Sequence, residues 1–139
     1  MRSCPGAVAR GRDLRCYRCW RGRRHGAVDV ARHLGGRVIA AVGSDRHAAV
    51  LRERDVSEIV NYSTEKRDRL KELSNGRGID VCFDNVGGSM FEELARSMSW
   101  GGRLLPIGFT SGEAPRLLMN LPLLKNFSII GVLPVLGRQ

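Results

Sequence analysis

From residue 27 onward, continuous apolar runs alternate with segments in which apolar residues recur three or four positions apart. The continuous runs are typical of strands buried on both faces, whereas the spaced residues are typical of amphipathic helices. Their alternation predicts βα units around a parallel sheet. The fold class predicted from the pattern is therefore α/β, with a doubly wound sheet.

The pattern predicts five strands with helices between them. The predicted strands cover residues 37–42, 58–60, 79–83, 103–109 and 127–132. Asp45 and Thr64 are predicted to cap the helices that follow the first two strands, because short polar side chains accept from the exposed N–H groups there. A third helix contains residues 90–98, and residues 121–126 form a short helical turn. Pro106 cannot donate to a strand ladder, which favours an edge or a bulge at the strand over residues 103–109.

The net charge of +9 is concentrated in residues 1–26, which we call the basic head. The head holds eight Arg against one Asp, whereas residues 27–139 hold 15 basic against 13 acidic residues. The remainder of the chain is therefore close to neutral. A basic head favours contact with phosphates, but no nucleic-acid-binding motif accompanies it.

The cysteines and histidines do not predict a metal centre. The pair Cys16-x-x-Cys19 in the head lacks the second pair that a zinc ribbon needs, and the three histidines are widely spaced. Cys82 lies in an apolar run and is predicted to be a buried, reduced thiol. We therefore expect no zinc.

No targeting or membrane segment is expected from the sequence. The N-terminus lacks the apolar stretch of roughly 7 to 15 residues that a secretory signal needs. No apolar run approaches the roughly 18 residues of a membrane-spanning helix. These observations predict a cytoplasmic protein with no membrane partner.

Several linked segments of residues 27–133 resemble one family, the medium-chain dehydrogenases/reductases. The segments are AVDVARHLGGRVIAAVGS, EIVNYSTE, GRGIDVCFDNVGG, WGGRLLPIGF and LLKNFSIIGV, in the order and spacing of that family's cofactor-binding half. Within the superfamily they are most similar to zinc-independent NADPH:quinone oxidoreductases. The resemblance implies a Rossmann-like sheet with strand order 3-2-1-4-5-6, in which the predicted strands are numbers two to six.

The resemblance also places a first strand and a glycine-rich phosphate turn just before Ala27. The sequence there is YRCWRGRRHG, which has no run of small residues that would let the backbone approach a pyrophosphate. If the DNA that encodes residues 18–26 were read one base later, it could encode a glycine-rich run. We therefore hypothesise that residues 1–26 are an out-of-frame or disordered head. Residues 27–139 are then a partial dinucleotide-binding domain, and the sheet is expected to be incomplete.

An incomplete sheet has a predicted physical consequence. The first strand lies in the middle of the 3-2-1-4-5-6 order, so Arg side chains from the head would stand where apolar ones are required. A buried charge without a partner costs several kcal/mol. We expect marginal stability and aggregation through unpaired strand edges.

In the resembled family, the residues after the second strand, here residues 37–42, select the cofactor. An acidic side chain there accepts a hydrogen bond from the adenosine 2′-hydroxyl, whereas small polar and basic side chains accommodate a 2′-phosphate. Here the stretch contains Ser44, Arg46 and His47, which are suited instead to a 2′-phosphate. The resemblance therefore implies NADPH as the cofactor. The alternative is an ordinary solvated helix start.

Further cofactor contacts are carried over from the resemblance, and each also has a structural alternative. Tyr62 corresponds to a tyrosine beside the adenosine, but it could be an ordinary edge residue. The glycines after the strand at residues 79–83 would allow close approach of the ribose and nicotinamide, but a tight turn alone would explain them equally well. The remaining carried-over positions are Asn85, Val86, Gly87, Gly108, Phe109 and Asn126. No catalytic residue is implied, and Asp80 and Asp84 are predicted to serve the strand ends.

The implied function is that of an oxidoreductase fragment. Intact relatives transfer hydride from NADPH to a quinone or conjugated carbonyl, bound between two domains. This chain is expected to be inactive alone, because it lacks the acceptor domain. The alternatives are nonspecific nucleic-acid binding through the basic head, or a non-catalytic cofactor-binding module that dimerises through residues 127–132.

Overall fold

A computed structural model of the 139-residue chain describes residues 14–18, 25–53, 56, 58–65 and 68–133. The strands among these residues are β1 (Leu14–Arg18), β2 (Arg37–Val42), β3 (Glu58–Asn61), β4 (Ile79–Asp84), β5 (Met98–Pro106) and β6 (Ser128–Ile129). The helices are α1 (His25–His33), α2 (Asp45–Arg52), α3 (Asp68–Leu73), α4 (Met90–Arg96) and α5 (Asn120–Lys125). None of the helices in this part of the chain has the length and apolar character to cross a membrane.

The strands form one parallel sheet in the order β3-β2-β1-β4-β5-β6. This arrangement confirms the predicted doubly wound α/β fold. Alternate residues of β2 enter two separate apolar clusters, so Ile39 packs with α3 and α4 residues whereas Val38 packs with α1 and α2 residues. Because both faces of β2 are covered, its apolar run is continuous.

The expectation that the first strand is lost is corrected by the position of β1. Its residues pair in parallel with β2 on one side and β4 on the other, with Arg15 in register with both Val38 and Val81. The physical reason is that a strand ladder is made by backbone N–H and C=O groups, which Arg supplies as well as Val. Most of the segment YRCWRGRRHG, residues 19–24, lies outside the described residues. The expected loss of the glycine-rich turn therefore stays a prediction.

The strand predicted at residues 103–109 begins earlier and ends earlier than expected. β5 starts at Met98, which the apolar spacing had assigned to the preceding helix, and it ends at Pro106. A register shift opposite Ile79 and Val81 accommodates the extra residues. At this bulge Gly101 has φ of +71°, a conformation that favours glycine and that local periodicity does not reveal.

Two smaller expectations are also corrected. Thr64 does not cap α3, because the helix begins only at Asp68 and Thr64 lies in a turn after β3. The last strand is two residues long, not the predicted six. The expected buried thiol is confirmed, since Cys82 is fully buried and not in a disulfide.

Candidate functional site

The carboxyl ends of β2, β3, β4 and β5 lie along one edge of the sheet, because all four strands run parallel. Ligands of open α/β sheets bind outside these ends, near the point where the strand order reverses. Here the reversal falls between β1 and β4. All but one of the predicted cofactor residues follow these strand ends, so this carboxyl edge is the candidate site.

Ser44 and His47 form a close pair just after β2. The Ser44 hydroxyl oxygen lies 2.6 Å from His47 Nδ1 and also accepts from the His47 backbone N–H at 3.4 Å. Ser44 is therefore the N-cap of α2, and the predicted cap, Asp45, is instead the first helical residue. Both partners of the pair are partly exposed, whereas Arg46 between them is exposed.

Asn61, at the end of β3, fixes the neighbouring loops. Its side-chain amide donates to the Asp45 carboxylate at 2.8 Å, and its backbone N–H donates to the Glu65 carboxylate at 2.8 Å. Asn61 is 5% exposed, so these bonds satisfy a buried polar residue. The β2 and β3 ends are thereby joined into one rigid corner.

Tyr62 packs directly on this corner. A Cβ atom added to Gly43 would lie 2.6 Å from the Tyr62 hydroxyl oxygen, so only glycine allows the ring to approach this closely. The Tyr62 N–H donates to the Val42 carbonyl at 3.0 Å, and the Ser63 hydroxyl donates to the Gly43 carbonyl at 2.8 Å. The structure thus places the Tyr62 hydroxyl against Gly43, the residue before Ser44.

A second cluster of predicted residues follows β4. The Asp84 carboxylate, which is 1% exposed, accepts from the N–H groups of Val86 at 3.0 Å and Gly87 at 3.1 Å. The Asn85 carbonyl accepts from Thr110 N–H and Oγ1, each at 3.1 Å. Asp84 therefore positions the loop, as predicted for a strand-end residue.

Gly87 has both a turn conformation and a crowded environment. Its φ is +67°, and an added Cβ would lie 3.0 Å from Phe109 Cδ1 and 3.1 Å from the Glu113 carbonyl. The loops after β4 and β5 therefore pack on each other at this glycine. The Phe109 ring remains 49% exposed at the same edge, and Gly108 lies over the Asn85 carbonyl.

Asn126 lies elsewhere. It ends α5 with φ of +50° and ψ of +34°, two residues before β6 begins at Ser128. It therefore lies at the amino edge of the sheet, where it lines an open cavity of about 460 Å³ with Arg77, Asp80 and the exposed Trp100. Its left-handed backbone, which Asn tolerates, gives it a structural role as a helix cap.

A basic cavity at the same amino edge was not anticipated from the sequence. It measures about 280 Å³ and is lined by Lys71, Arg77, Arg96 and Lys125, among other residues. The Lys125 ammonium donates to the carbonyls of Arg96 and, at 3.2 Å, Met98. Burial lowers the pKa of Lys125, and the charge of Lys71 lowers it further.

The basic residues of this cavity serve the helix ends. Lys71, Arg96 and Lys125 each lie in the last turn of a helix, where unpaired carbonyls and the helix dipole favour a positive charge. Arg77 pairs with the buried Asp80 at 2.9 Å. The signal that could have revealed the cluster is this repeated placement of cations at helix C-termini.

Comparison with known proteins agrees with the fold. A family model described as zinc-binding dehydrogenase matches residues 25–136, most of the chain. The chain belongs to this family, the medium-chain dehydrogenases/reductases. The matched residues correspond to the cofactor-binding half of these proteins.

The related proteins include several medium-chain reductases. The mouse quinone oxidoreductase-like protein 2 is 40% identical over 107 residues, which cover 76% of this chain and 31% of that protein. The crystal structure of a 2-haloacrylate reductase superposes with a TM-score of 0.77 and 26% identity, covering 88% of this chain and 39% of that one. The structure of Escherichia coli quinone oxidoreductase complexed with NADPH has a TM-score of 0.76 and 22% identity, and covers 87% and 38% of the two chains.

The chain spans about a third of the length of these dehydrogenase/reductase relatives. The name of the family model refers to zinc, which proteins bind through His, Cys, Asp and Glu side chains. Along the residues that the structure describes, no group of three His, Cys, Asp or Glu side chains could hold a metal ion. These residues therefore do not fit a zinc site.

Proposed function

We propose that this chain forms the NADPH-binding wall of an oxidoreductase that reduces a quinone or a conjugated carbonyl compound. The observation that carries the proposal is the Ser44–His47 pair at the end of β2, directly after the glycine that Tyr62 contacts. A hydroxyl and an imidazole at this position can donate to a 2′-phosphate, whereas NAD-binding members of such folds place a carboxylate there. Arg46 is exposed next to the pair and adds positive charge.

Asp45, the carboxylate nearest in sequence to Ser44, does not conflict with the assignment of a 2′-phosphate to this position. Asp45 accepts from the buried Asn61 side chain, so it is held toward β3 by a neighbouring strand end. A carboxylate directed at the adenosine would repel a 2′-phosphate. The corner therefore favours NADPH over NADH.

In the proposed mechanism, bound NADPH supplies a hydride to an electron-poor acceptor. The residues after β4 and β5 orient the nicotinamide end: Asp84 holds the Val86–Gly87 backbone, and Phe109 covers Gly87 from one side. The half-exposed Phe109 ring would offer an apolar surface to the nicotinamide and help to exclude water there. Asn126, at the far edge, is not included in this proposal.

The acceptor would bind against a further domain, because this chain contains one wall of the proposed cleft. We infer that the 139-residue chain binds the cofactor but has no reductase activity alone. The names of two relatives, a quinone oxidoreductase-like protein and a 2-haloacrylate reductase, support an electron-poor acceptor. A cytoplasmic location, from the sequence, remains part of the proposal.

The test introduces a carboxylate at the Ser44 position. Ser44→Asp keeps an N-cap side chain but should weaken NADPH binding by about tenfold or more, since two negative charges then face each other. NADH binding should be unchanged or tighter. Asn75→Asp, at an exposed position before β4, is the matched control and should change neither affinity.

Binding of each dinucleotide to the purified chain is measured by calorimetry or by fluorescence of the reduced nicotinamide. Equal losses of NADPH and NADH affinity in Ser44→Asp would contradict the assignment of the 2′-phosphate to this corner. Failure of the unmodified chain to bind either dinucleotide would contradict the proposed function itself.

A second proposal concerns self-association. β6 is the outermost strand, and Ile129 and Val132 near it are each 39% exposed, while Leu123 and Leu124 of α5 are 80% and 67% exposed. An apolar edge strand of this kind pairs readily with another edge. We propose a homodimer through residues 127–132, which sedimentation of the chain would reveal; a monomer at all concentrations would contradict it.

The nucleic-acid alternative rests on the basic head. Most of the head lies outside the described residues, so no structural observation favours this alternative. It predicts salt-dependent binding of DNA or RNA that is lost when the basic head, residues 1–26, is deleted. We keep it as the competing hypothesis to be tested alongside dinucleotide binding.

A further inference from the structure

The basic cavity at the amino edge of the sheet brings together cations from separate segments of the chain. Lys71 lies in the last turn of α3, Arg77 before β4, Arg96 in the last turn of α4 and Lys125 in the last turn of α5. The cavity measures about 280 Å³. A molecule of liquid water occupies about 30 Å³, so the space has room for a small ion together with several waters.

The two arginines of the cavity are held by acidic partners but keep further donors. Arg77 donates through Nη2 to the Asp80 carboxylate at 2.9 Å. Arg96 donates through Nε and Nη2 to one oxygen of Glu92. A guanidinium has five N–H donors, of which Arg77 uses one and Arg96 uses two in these bonds. The ion pairs therefore fix each guanidinium in place and leave N–H groups for another acceptor.

The two lysines of the cavity differ in their bonding. The Lys125 ammonium donates to the carbonyls of Arg96 and Met98, so it satisfies acceptors at the end of α4. The Lys71 ammonium has no acceptor among the residues that the structure describes, although its side chain lines the same space. Hydrogen bonding at helix ends therefore explains Lys125 but does not explain Lys71.

The positive charges of the cavity act on one another. Burial lowers the pKa of Lys125, and the charge of Lys71 lowers it further, so the two ammonium groups are close enough to repel. Asp68 is the acidic residue among the described residues that line the cavity. It does not overcome the repulsion, because the pKa of Lys125 is lowered and not raised. An anion in the cavity would attract both ammonium groups and offset their repulsion.

We propose that the basic cavity binds a phosphate group, either as inorganic phosphate or as part of a phosphate monoester. A phosphate group carries a charge of about −1.5 to −2 at pH 7 and has several strong acceptor oxygens. Its oxygens point in different directions, which suits donors that come from separate segments, whereas a carboxylate has two oxygens in one plane and a single charge. Arginine binds phosphate through its planar fork, and lysine binds it as a point charge. The cavity lies at the edge of the sheet opposite the candidate cofactor site, so this binding does not depend on the proposed function.

The first experiment titrates inorganic phosphate into the full chain and follows the side-chain carbons of lysine by NMR. The chain has three lysines, so their signals can be assigned by substitution. We expect the Lys71 and Lys125 signals to shift together and to saturate, whereas sodium chloride of equal ionic strength should leave them in place. An equal response to chloride would reduce the effect to screening and overturn the proposal. Phosphate bound only at the Ser44–His47 corner, on the opposite edge, would leave both signals unchanged and would also overturn it.

The second experiment compares phosphate affinity among variants of exposed cations by calorimetry. Lys71→Met should weaken phosphate binding about five- to tenfold, because it removes a charged donor from a partly solvated site. Lys71→Arg keeps the charge and the donors, so its affinity should stay within about twofold of the unmodified chain. Arg52→Met is the matched control, since Arg52 is an exposed cation in the last turn of α2 and is not part of the cavity lining. Its phosphate affinity should not change.

Further probes identify the chemistry that the cavity selects. Glycerol phosphate and inorganic phosphate should both bind, and the tighter of the two shows whether the site holds a monoester or the free ion. Acetate should bind at least about tenfold more weakly, since it carries one charge and fewer acceptors. Acetate binding as tight as that of phosphate, or phosphate affinity that is the same in Lys71→Met as in the unmodified chain, overturns the proposal. Thermal unfolding without phosphate checks that each variant is folded, and added phosphate should raise the midpoint less in Lys71→Met than in Lys71→Arg.

Discussion

Gly87 and Gly112 have similar left-handed backbones but different surroundings. Gly87 has φ of +67° and is crowded by Phe109, whereas Gly112 has φ of +82° and no atom within 4 Å of an added Cβ. The sequence alone left two explanations for Gly87: a tight turn, or room for a cofactor. At the residue scale, the structure shows that the turn and the packing of the β5 loop already require glycine.

Gly87→Ala and Gly112→Ala should therefore destabilise the fold by different amounts. Both place Ala at positive φ, which costs about 1 kcal/mol. Gly87→Ala adds overpacking against Phe109, for a total of about 2 to 4 kcal/mol. Urea unfolding monitored by circular dichroism gives both values, and equal losses would show that the Phe109 contact is not as close as described.

At the scale of elements, the ends of α4 and α5 are joined by one side chain. The Lys125 ammonium donates to carbonyls of Arg96 and Met98, where α4 gives way to β5. Burial and the charge of Lys71 lower its pKa from 10.5. The helix ends were close to their predicted positions, but this link depends on packing between segments almost thirty residues apart.

The lowered pKa of Lys125 makes stability depend on alkaline pH. Because the folded pKa lies below the unfolded value of 10.5, the unfolded chain binds more protons in the interval between them. Stability from this group therefore rises as pH increases through the folded pKa and approaches 10.5. Relative to Lys125→Met, the unmodified chain should gain stability over that interval, as measured by thermal unfolding at increasing pH.

A second variant tests the cause of this shift. Lys71→Met removes the neighbouring charge, so the pKa of Lys125 should move toward 10.5 and the alkaline gain should shrink. The Lys125 titration can be followed directly by NMR of its side-chain carbon. A pKa unchanged by Lys71→Met would mean that burial alone accounts for the shift.

At the scale of the whole molecule, β1 joins the two halves of the sheet. It pairs with both β2 and β4, so the halves have no other direct strand contact in the observed order. The middle of a doubly wound sheet is covered on both faces. Arg15 is in backbone register with both Val38 and Val81.

Arg15→Pro should destabilise the molecule. Arg15 pairs with a strand on each side, and proline has no backbone N–H to donate to the ladder. Thermal unfolding measures the loss, and unchanged stability would show that β1 does not hold the two halves of the sheet together.

The candidate site could be predicted from sequence only in part. The residues after β2, β3, β4 and β5 share one edge, because parallel strands place their carboxyl ends together. Asn126 was grouped with them through family resemblance, yet it lies before β6 and hence at the opposite edge. Ser44, not Asp45, caps α2, a choice between neighbours that local preference does not decide.

The sequence by itself determined the alternation of strands and helices, since continuous and spaced apolar residues are local patterns that do not depend on distant partners. Tertiary structure decided where residues 14–18 lie in the sheet, how the bulge in β5 absorbs its extra residues, and which loops touch at Gly87. These features depend on strand pairing and side-chain packing between segments far apart in the chain. Pairing is made by backbone groups that every residue except proline carries in full, so it leaves little trace in the order of amino acids.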